Sequence, residues 1–317
     1  MRLLNNMDNA KITVLLATYN GEKYVEEMID SVLAQDYDNI ELILSDDGSI
    51  DKTISILDIY AQKYPDKVKR YVSGQKFGSA QKHFMHLLKT FHDSPYVMFC
   101  DQDDFWHKDK VSKTLEKMQE IEKEGLPVLV HTDLRVVDAG LKEISPSFCK
   151  QMRLRGKETS FNRYLVQNFV TGCTMLMNRA LVELAIKDYG EGTIQMHDWW
   201  IALIASAFGK IAFLNQPTID YRQHGNNVVG AKDVGSVGFV KNSIKTKKMQ
   251  KSILMALAQA KLFNELYKDY LSGKQLKTIT AFISTENKCL LKRDYIYIRH
   301  KLLKRGFLRK VAQLMNL

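Results

Sequence analysis

Tyr96-Val-Met-Phe-Cys-Asp-Gln-Asp-Asp-Phe-Trp106 begins as an apolar run and turns abruptly acidic at Asp101. The run is short and follows the breaker Ser94-Pro95, so it predicts a buried central strand. Asp101, Gln102, Asp103 and Asp104 then fall at the strand's carboxyl end, where open α/β sheets hold their ligands. Carboxylates packed this closely repel one another, and burial raises their pKa values unless a cation compensates. A hard divalent ion with oxygen ligands, Mg²⁺ or Mn²⁺, suits that role, particularly if it also holds phosphates. The alternative is a solvated acidic turn capping a helix that starts near Lys108.

On the N-terminal side, Lys11 to Ala17 is a second apolar run, closed by Thr18-Tyr19-Asn20-Gly21. A helix is expected from about Glu22 to Gln35, where Tyr24, Val25, Met28, Ile29 and Val32 recur at helical spacing. Ile40 to Leu44 predicts a strand ending in Ser45-Asp46-Asp47-Gly48-Ser49, and Asp51 can cap a helix running to Tyr64. Val68 to Val72 predicts a third strand, and Gly74 to Gln81 leads into a helix through Phe91. Beyond the acidic stretch, a helix over Lys108 to Glu124 and a strand over Pro127 to Leu134 continue the alternation. Such order implies a Rossmann-like α/β fold, a mostly parallel sheet with helices on both faces. Three strands thus end in polar residues on one edge, the arrangement of a nucleotide pocket.

The second half is less regular. Leu141 to Gly156 is an irregular excursion, Val170 to Met177 alternates like a strand, and Arg179 to Lys187 resembles a short helix. Gln195-Met-His-Asp-Trp-Trp200 opens an apolar helix to about Phe208, and Lys210 to Tyr221 predicts a strand. The glycines and asparagines of Arg222 to Gly230 mark a mobile loop. From Asp233 to Leu317 there are 18 Lys+Arg against 5 Asp+Glu, whereas residues 1–232 hold 28 against 31. Hence residues 1–232 form the expected α/β domain and 233–317 a basic helical region. Ile253, Leu257, Ala260, Phe263, Tyr267 and Tyr270 make one apolar stripe, expected to pack in the core. Leu291, Tyr295, Ile298, Leu302 and Leu303 make another. Around it stand Lys292, Arg293, Arg299, Lys301, Lys304, Arg305, Arg309 and Lys310, which points to an anionic membrane surface. The apolar face serves a homodimer equally well. Nucleic acid is disfavoured as the partner, since stacking platforms and its recognised motifs are missing. Cys100, Cys149, Cys173 and Cys289 are scattered without a CxxC pair, and residues 1–10 lack a secretory core, so a reducing cytoplasm is expected.

Ala-Thr-Tyr-Asn-Gly, Asp-Asp-Gly-Ser, Asp-Gln-Asp-Asp-Phe-Trp, His-Asp-Trp-Trp and Tyr-Arg-Gln-His-Gly-Asn-Asn together resemble family 2 glycosyltransferases of the GT-A fold. The resemblance runs from about Lys11 to Ala231. Its last three motifs are similar to those of bacterial rhamnosyltransferases that build streptococcal cell-wall and capsular polysaccharides. The tail matches only in character, basic and helical. The resemblance implies a metal-dependent inverting transferase moving L-rhamnose from dTDP-L-rhamnose to a lipid-linked saccharide, peripheral on the inner face of the cell membrane. A UDP-hexose transferase of the same fold, a non-catalytic nucleotide- or carbohydrate-binding protein and a metal-dependent phosphohydrolase are the alternatives.

Residue by residue, the resemblance lays Thr18 and Tyr19 against the base and has Asp46 and Asp47 accept bonds from base or sugar. Lys76 and Gln81 would touch ribose or phosphate, beside Asp101 and Gln102. Asp103 would coordinate the metal, with Asp104 orienting its neighbours or capping a helix. Asp198 is either an ordinary N-cap or, as the resemblance implies, the base that deprotonates the acceptor hydroxyl. His197, Trp199 and Trp200, with Thr171 and Gly172, are expected on the acceptor side, one tryptophan serving the core. His224 would ligate the metal or bond phosphate, and Arg222 would balance charge at the diphosphate. His83, His86, His92 and His107 are expected at the surface.

Overall fold

A computed structural model describes residues 9–188, 194–224 and 247–315. The sheet grows from the N-terminal alternation: β1 (Ile12–Thr18), α1 (Val25–Leu33), β2 (Ile40–Asp46), α2 (Thr53–Lys63), β3 (Val68–Tyr71), α3 (Ala80–Thr90) and β4 (Tyr96–Asp101). β5 (Phe105–Trp106), α4 (Lys110–Gln119), β6 (Val128–Val137), β7 (Glu143–Ser145), α5 (Phe148–Gln151) and α6 (Phe161–Tyr164) follow. β8 (Leu176–Asn178), α7 (Arg179–Ala185), α8 (His197–Phe208) and β9 (Lys210–Arg222) complete it. The strand order is β3-β2-β1-β4-β8-β6-β9-β5, with β7 on β6.

β3, β2, β1 and β4 run parallel, and the interiors of β2, β1 and β4 are buried on both faces, as such strands require, while β3 forms the partly exposed edge. Register then sets the site. Thr18 pairs with Asp46 and Ala17 with Asp101, so three strand ends stop level with one another. Beyond β4 the mostly parallel sheet takes on short antiparallel ladders, although β6 and β9 run parallel. β8 is antiparallel to both β4 and β6, and β5 is antiparallel to β9, giving a mixed sheet. Val170 to Met177 is not one strand: Gly172–Thr174 form a 3₁₀ turn before β8. The excursion after Leu141 carries β7 and α5, and α5 is capped by Ser147, whose Oγ accepts from Lys150 N.

α8 is apolar on nearly all sides, so it must be buried all round. Its main partners are α7, α6 and α3, and Trp200 and Phe208 reach α9 (Lys248–Tyr267), the first of the C-terminal helices, which continue as α10 (Gly273–Ile283), α11 (Leu290–Arg299) and α12 (Phe307–Leu314). Trp200 meets Phe263 edge-on at 5.7 Å and Tyr267 at 6.0 Å. Ile253, Leu257, Ala260, Phe263 and Tyr267 are buried in the same core as α8, as the first stripe predicts, while Tyr270 is exposed. The division at 232/233 lies outside the described residues. In the second stripe Leu302 is buried and Leu303 partly buried, but Leu291, Tyr295 and Ile298 are exposed, as is Phe307 beyond it.

Candidate active site

The level strand ends open into a cavity of about 1370 Å³, lined on one side by Thr18, Tyr19, Asp47, Lys76, Asp101, Gln102, Asp103 and His224. Its other side is Asn168, Thr171, Gly172, His197, Asp198 and Trp199, from the segment before β8 and the start of α8. Ligand sites commonly span about 300–1,000 Å³, so this space exceeds what one small molecule fills.

The first-strand loop is held by the acidic segment itself. Tyr19 N donates to Gln102 Oε1 at 2.9 Å, and Gln102 Nε2 donates to Tyr19 O at 3.0 Å. Tyr19 itself is 56% exposed and lines the cavity. Asp46 is occupied: it accepts from Gly48 N, Ser49 N, Ser49 Oγ and Thr18 Oγ1, the pattern of an Asx turn, and it does not line the cavity. Asp47 reaches the cavity, but its oxygens accept from Phe77 N at 2.5 Å and Gly78 N at 2.9 Å. It therefore fixes the 74–79 loop, which carries Lys76 to the cavity wall. Gln81, on α3, is half-buried and lies off the lining.

Asp101, Asp103 and Asp104 crowd the end of β4. The Asp101 carboxyl is pushed up to about 7 by burial, then by Asp103 and Asp198. Asp104 is driven well above the carboxylate range by burial and by Asp103 and Asp101, and its Oδ2 has no hydrogen-bond partner. Asp103 Oδ2 lies 2.6 Å from His224 Nε2, and the His224 ring stacks on Tyr24 at 5.4 Å. Arg222 stands behind this group rather than in the cavity. Its Nε donates to Asp103 O at 2.9 Å, Nη1 donates to Ala139 O at 2.8 Å, and Nη2 pairs with Glu27. Its backbone N donates to Asp104 Oδ1, so Asp104 ties β9 to the loop instead of capping α4. The expected role of Arg222 at the diphosphate is thus replaced by one of clamping the acidic loop.

A divalent cation fits these residues. Burial and mutual repulsion hold the Asp101 and Asp104 carboxyls high even with Lys110 near Asp104, and a cation beside them would stabilise their ionised forms. Ligand atoms of Asp101, Asp104 and Cys173 lie within 4.8 Å of one another, although burial keeps the Cys173 thiol well above its usual range. A neutral thiol is a poor ligand for a hard ion. The carboxylate oxygens of the cluster are the donors that a hard ion would use.

Across the cavity, Asp198 is held at the first turn of α8 with Oδ1 accepting from Trp199 N at 2.6 Å. Burial pushes its carboxyl up to about 6, against the lowering effect of hydrogen bonds from Trp199 N, the Asn168 side chain and Gly172 N. It is not the N-cap, a position taken by Met196. Trp199 borders the cavity, its indole Nε1 donating to Tyr164 O at 2.6 Å, whereas Trp200 is wholly in the core and off the acceptor wall. His197 is buried between Phe84 and Phe99, its two ring nitrogens without partners, and its pKa falls to about 3. A Cβ on Gly172 would come within 2.6 Å of His197 Nε2. Because the aromatic cage prevents His197 from retreating, Gly172→Ala is expected to cost about 1–3 kcal/mol in urea unfolding. Unchanged stability would show that the ring can yield.

Two residues missed by sequence reasoning are His83 and Asn168. His83 is buried beside the cavity, within 2.7 Å of Ser45 Oγ and stacked on Phe77 at 4.7 Å, not at the surface. His107 pairs with Asp220 at 2.8 Å and is likewise no free surface group. Neither His83 nor Asn168 belongs to a local motif that could have found it.

The sequence profile of glycosyl transferase family 2 matches residues 13–184, covering β1 to α7. This chain belongs to glycosyl transferase family 2. The glycosyltransferase is 30% identical over 297 residues to the dTDP-rhamnosyl transferase RfbG of Shigella flexneri, across 89% of this chain and 97% of that one. It is 25% identical to the amylovoran biosynthesis glycosyltransferase AmsB of Erwinia amylovora, across 68% and 70% of the two chains. Among solved structures, TarS 1-349 of S. aureus superposes with a TM-score of 0.54 at 17% identity, over 92% of this chain and 90% of that 1-349 chain. The mannosyltransferase PcManGT from Pyrobaculum calidifontis, in complex with GDP-Man and Mn²⁺, gives 0.53 at 18% identity, over 97% and 84%. These structures share the GT-A-like fold. As a family 2 glycosyltransferase, the protein acts on a nucleotide-sugar donor.

Proposed function

We propose that this glycosyltransferase transfers L-rhamnose from dTDP-L-rhamnose to a saccharide acceptor with inversion, in cell-wall or capsular polysaccharide synthesis. The observation that carries the mechanism is the raised carboxylate of Asp198 at the start of α8, lining the same cavity as Asp101 and Asp103 at the end of β4. The donor identity is supported by the near full-length relative named for dTDP-rhamnose transfer.

In this reading Tyr19 stacks on the base, Lys76 meets the ribose or phosphates, and Gln102 keeps the Tyr19 loop in place. Asp103 and His224 would hold a divalent cation, with Asp101 behind them, and that ion would offset charge on the departing nucleoside diphosphate. Asp198 accepts the proton of the acceptor hydroxyl as its oxygen attacks the anomeric carbon. One displacement through an oxocarbenium-like transition state inverts the anomeric centre. Asn168 and Gly172 N orient the carboxylate, and Trp199 and Thr171 border the acceptor's sugar. Incubation with a panel of sugar nucleotides should release nucleoside diphosphate fastest from dTDP-L-rhamnose. Release from UDP-hexoses alone would replace the donor with the UDP-hexose alternative, and release from none would favour a binding protein.

The acceptor is read as lipid-linked and the enzyme as peripheral on the inner face of the membrane. Among the described residues no helix is long and apolar enough to cross a membrane. Leu291, Tyr295, Ile298 and Phe307 are exposed together with Lys292, Arg299 and Lys301, an apolar face with a cationic border. Each such cation contributes about 1 kcal/mol at an anionic surface. Arg293 and Arg305 do not count towards it, being paired with Asp294 and Glu158. The chain is expected to pellet with acidic vesicles at low salt and to be released at high salt. Indifference to lipid charge, with a dimer in light scattering, would assign the same face to a second copy.

A further inference from the structure

Two cations of the basic tail turn inward and line the cavity. Lys304, between α11 and α12, is 8% exposed, and its Nζ donates to Ser252 Oγ of α9 at 2.8 Å. Arg309 of α12 donates through Nη2 to Met152 O at 2.8 Å and through Nη1 to Arg153 O at 3.5 Å. Among the described residues neither has a carboxylate within ion-pair distance. The neighbouring basic residues differ: Arg305 pairs with Glu158 at 3.1 Å and Arg293 with Asp294 at 2.9 Å. Lys110, the other deeply buried lysine, has the Trp106 ring 4.7 Å away and Asp104 nearby. Lys304 instead faces Arg309, which with burial pulls its pKa down to about 8.

Burying a charge without a counter-charge is costly, and removing or neutralising such a group normally relieves the protein. A buried lysine and a partly buried arginine on one cavity wall, neither with a counter-charge, make a place where an anion would be stabilised. Their position says which substrate brings it. Arg305 N donates to Gln167 Oε1 at 2.7 Å, and Gln167 adjoins Asn168, which bonds Asp198. The pair therefore lies on the side of the base, and the nearby wall is Met152, Leu154 and Met249.

We propose that Lys304 and Arg309 form an oxyanion subsite that takes a phosphoryl group of the acceptor, with Met152, Leu154 and Met249 seating the apolar carbon beside it. A lipid diphosphate and a sugar phosphate share this chemistry. The proposal rests on Asp198 marking the acceptor side, but its test requires no sugar transfer, so it can fail while the donor assignment stands.

Calorimetric titration of the full chain, with chelator present, measures binding of phenyl phosphate and of farnesyl diphosphate. Lys304→Met should weaken phenyl phosphate at least tenfold and Arg309→Met similarly, while Asp103→Asn leaves it within twofold. Loss in Asp103→Asn with no change in Lys304→Met would place the anion on the donor side and overturn the proposal. Lys304→Met removes a buried charge at similar volume and should melt no lower than the parent chain. Should it melt lower, the partly exposed Arg309 carries the comparison alone. Farnesyl diphosphate bound at least tenfold tighter than phenyl phosphate assigns the subsite to a lipid-linked acceptor, whereas equal affinities assign it to a sugar phosphate.

Discussion

Asp198→Asn is expected to lower kcat by about two to four orders of magnitude, the usual contribution of a positioned general base. Donor affinity should remain within a few-fold, because Asp198 stands across the cavity from Tyr19, Lys76 and Asp103. The pH profile gives a second readout. Burial lifts the carboxyl to about 6, so the base form is lost as pH falls through that value, and kcat/KM should drop about tenfold per pH unit below it. Stability moves the other way. A carboxyl whose folded pKa is raised binds its proton more tightly in the native state, so ionisation above about pH 6 opposes folding. A shift of this size corresponds to a penalty on the order of 3 kcal/mol at neutral pH, fading as pH falls towards the unfolded value. Asn should therefore be inactive yet more stable than Asp at pH 7. An active Asn variant, or an unaltered acid limb in the wild type's profile after substitution, would sink Asp198 as the base.

Asp103→Ala has the second largest expected effect, a loss of about three orders of magnitude in transfer, since several kcal/mol of leaving-group stabilisation are at stake. Chelator should reduce the parent enzyme to a comparable rate, with Mg²⁺ or Mn²⁺ restoring it, while the variant stays unresponsive. Removing Asp103 also removes one of the charges that lift Asp101, so the alanine chain should fold at least as well as the parent. Full metal-stimulated transfer by the alanine variant would show that Asp103 holds no ion.

The strand-end wall of the cavity was legible because apolar runs with polar ends define buried strands, and parallel register then brings Thr18, Asp47 and Asp101 together. What such a pattern cannot reveal is which polar atoms are already engaged. Asp46 and Arg222 look like ligand-binding groups in a motif, yet a turn and the acidic loop consume them. Trp199 and Trp200 are adjacent on α8, so only helix phase against α9 separates the cavity wall from the core. β8 is three residues long, too short for alternation to announce its antiparallel direction. The tail misled most: its second stripe suggested that every lysine and arginine faces outward, but chain turns at Lys301 and Gly306, both with positive φ, swing Lys304 and Arg309 inside.

Trp200 packed against Phe263 and Tyr267 joins the fold's two ends through one hydrophobic interior. Exchanging tails between relatives to alter acceptor choice would therefore succeed only when the grafted α9 carries aromatic partners shaped for the recipient's α8. Modularity in this molecule stops at that seam.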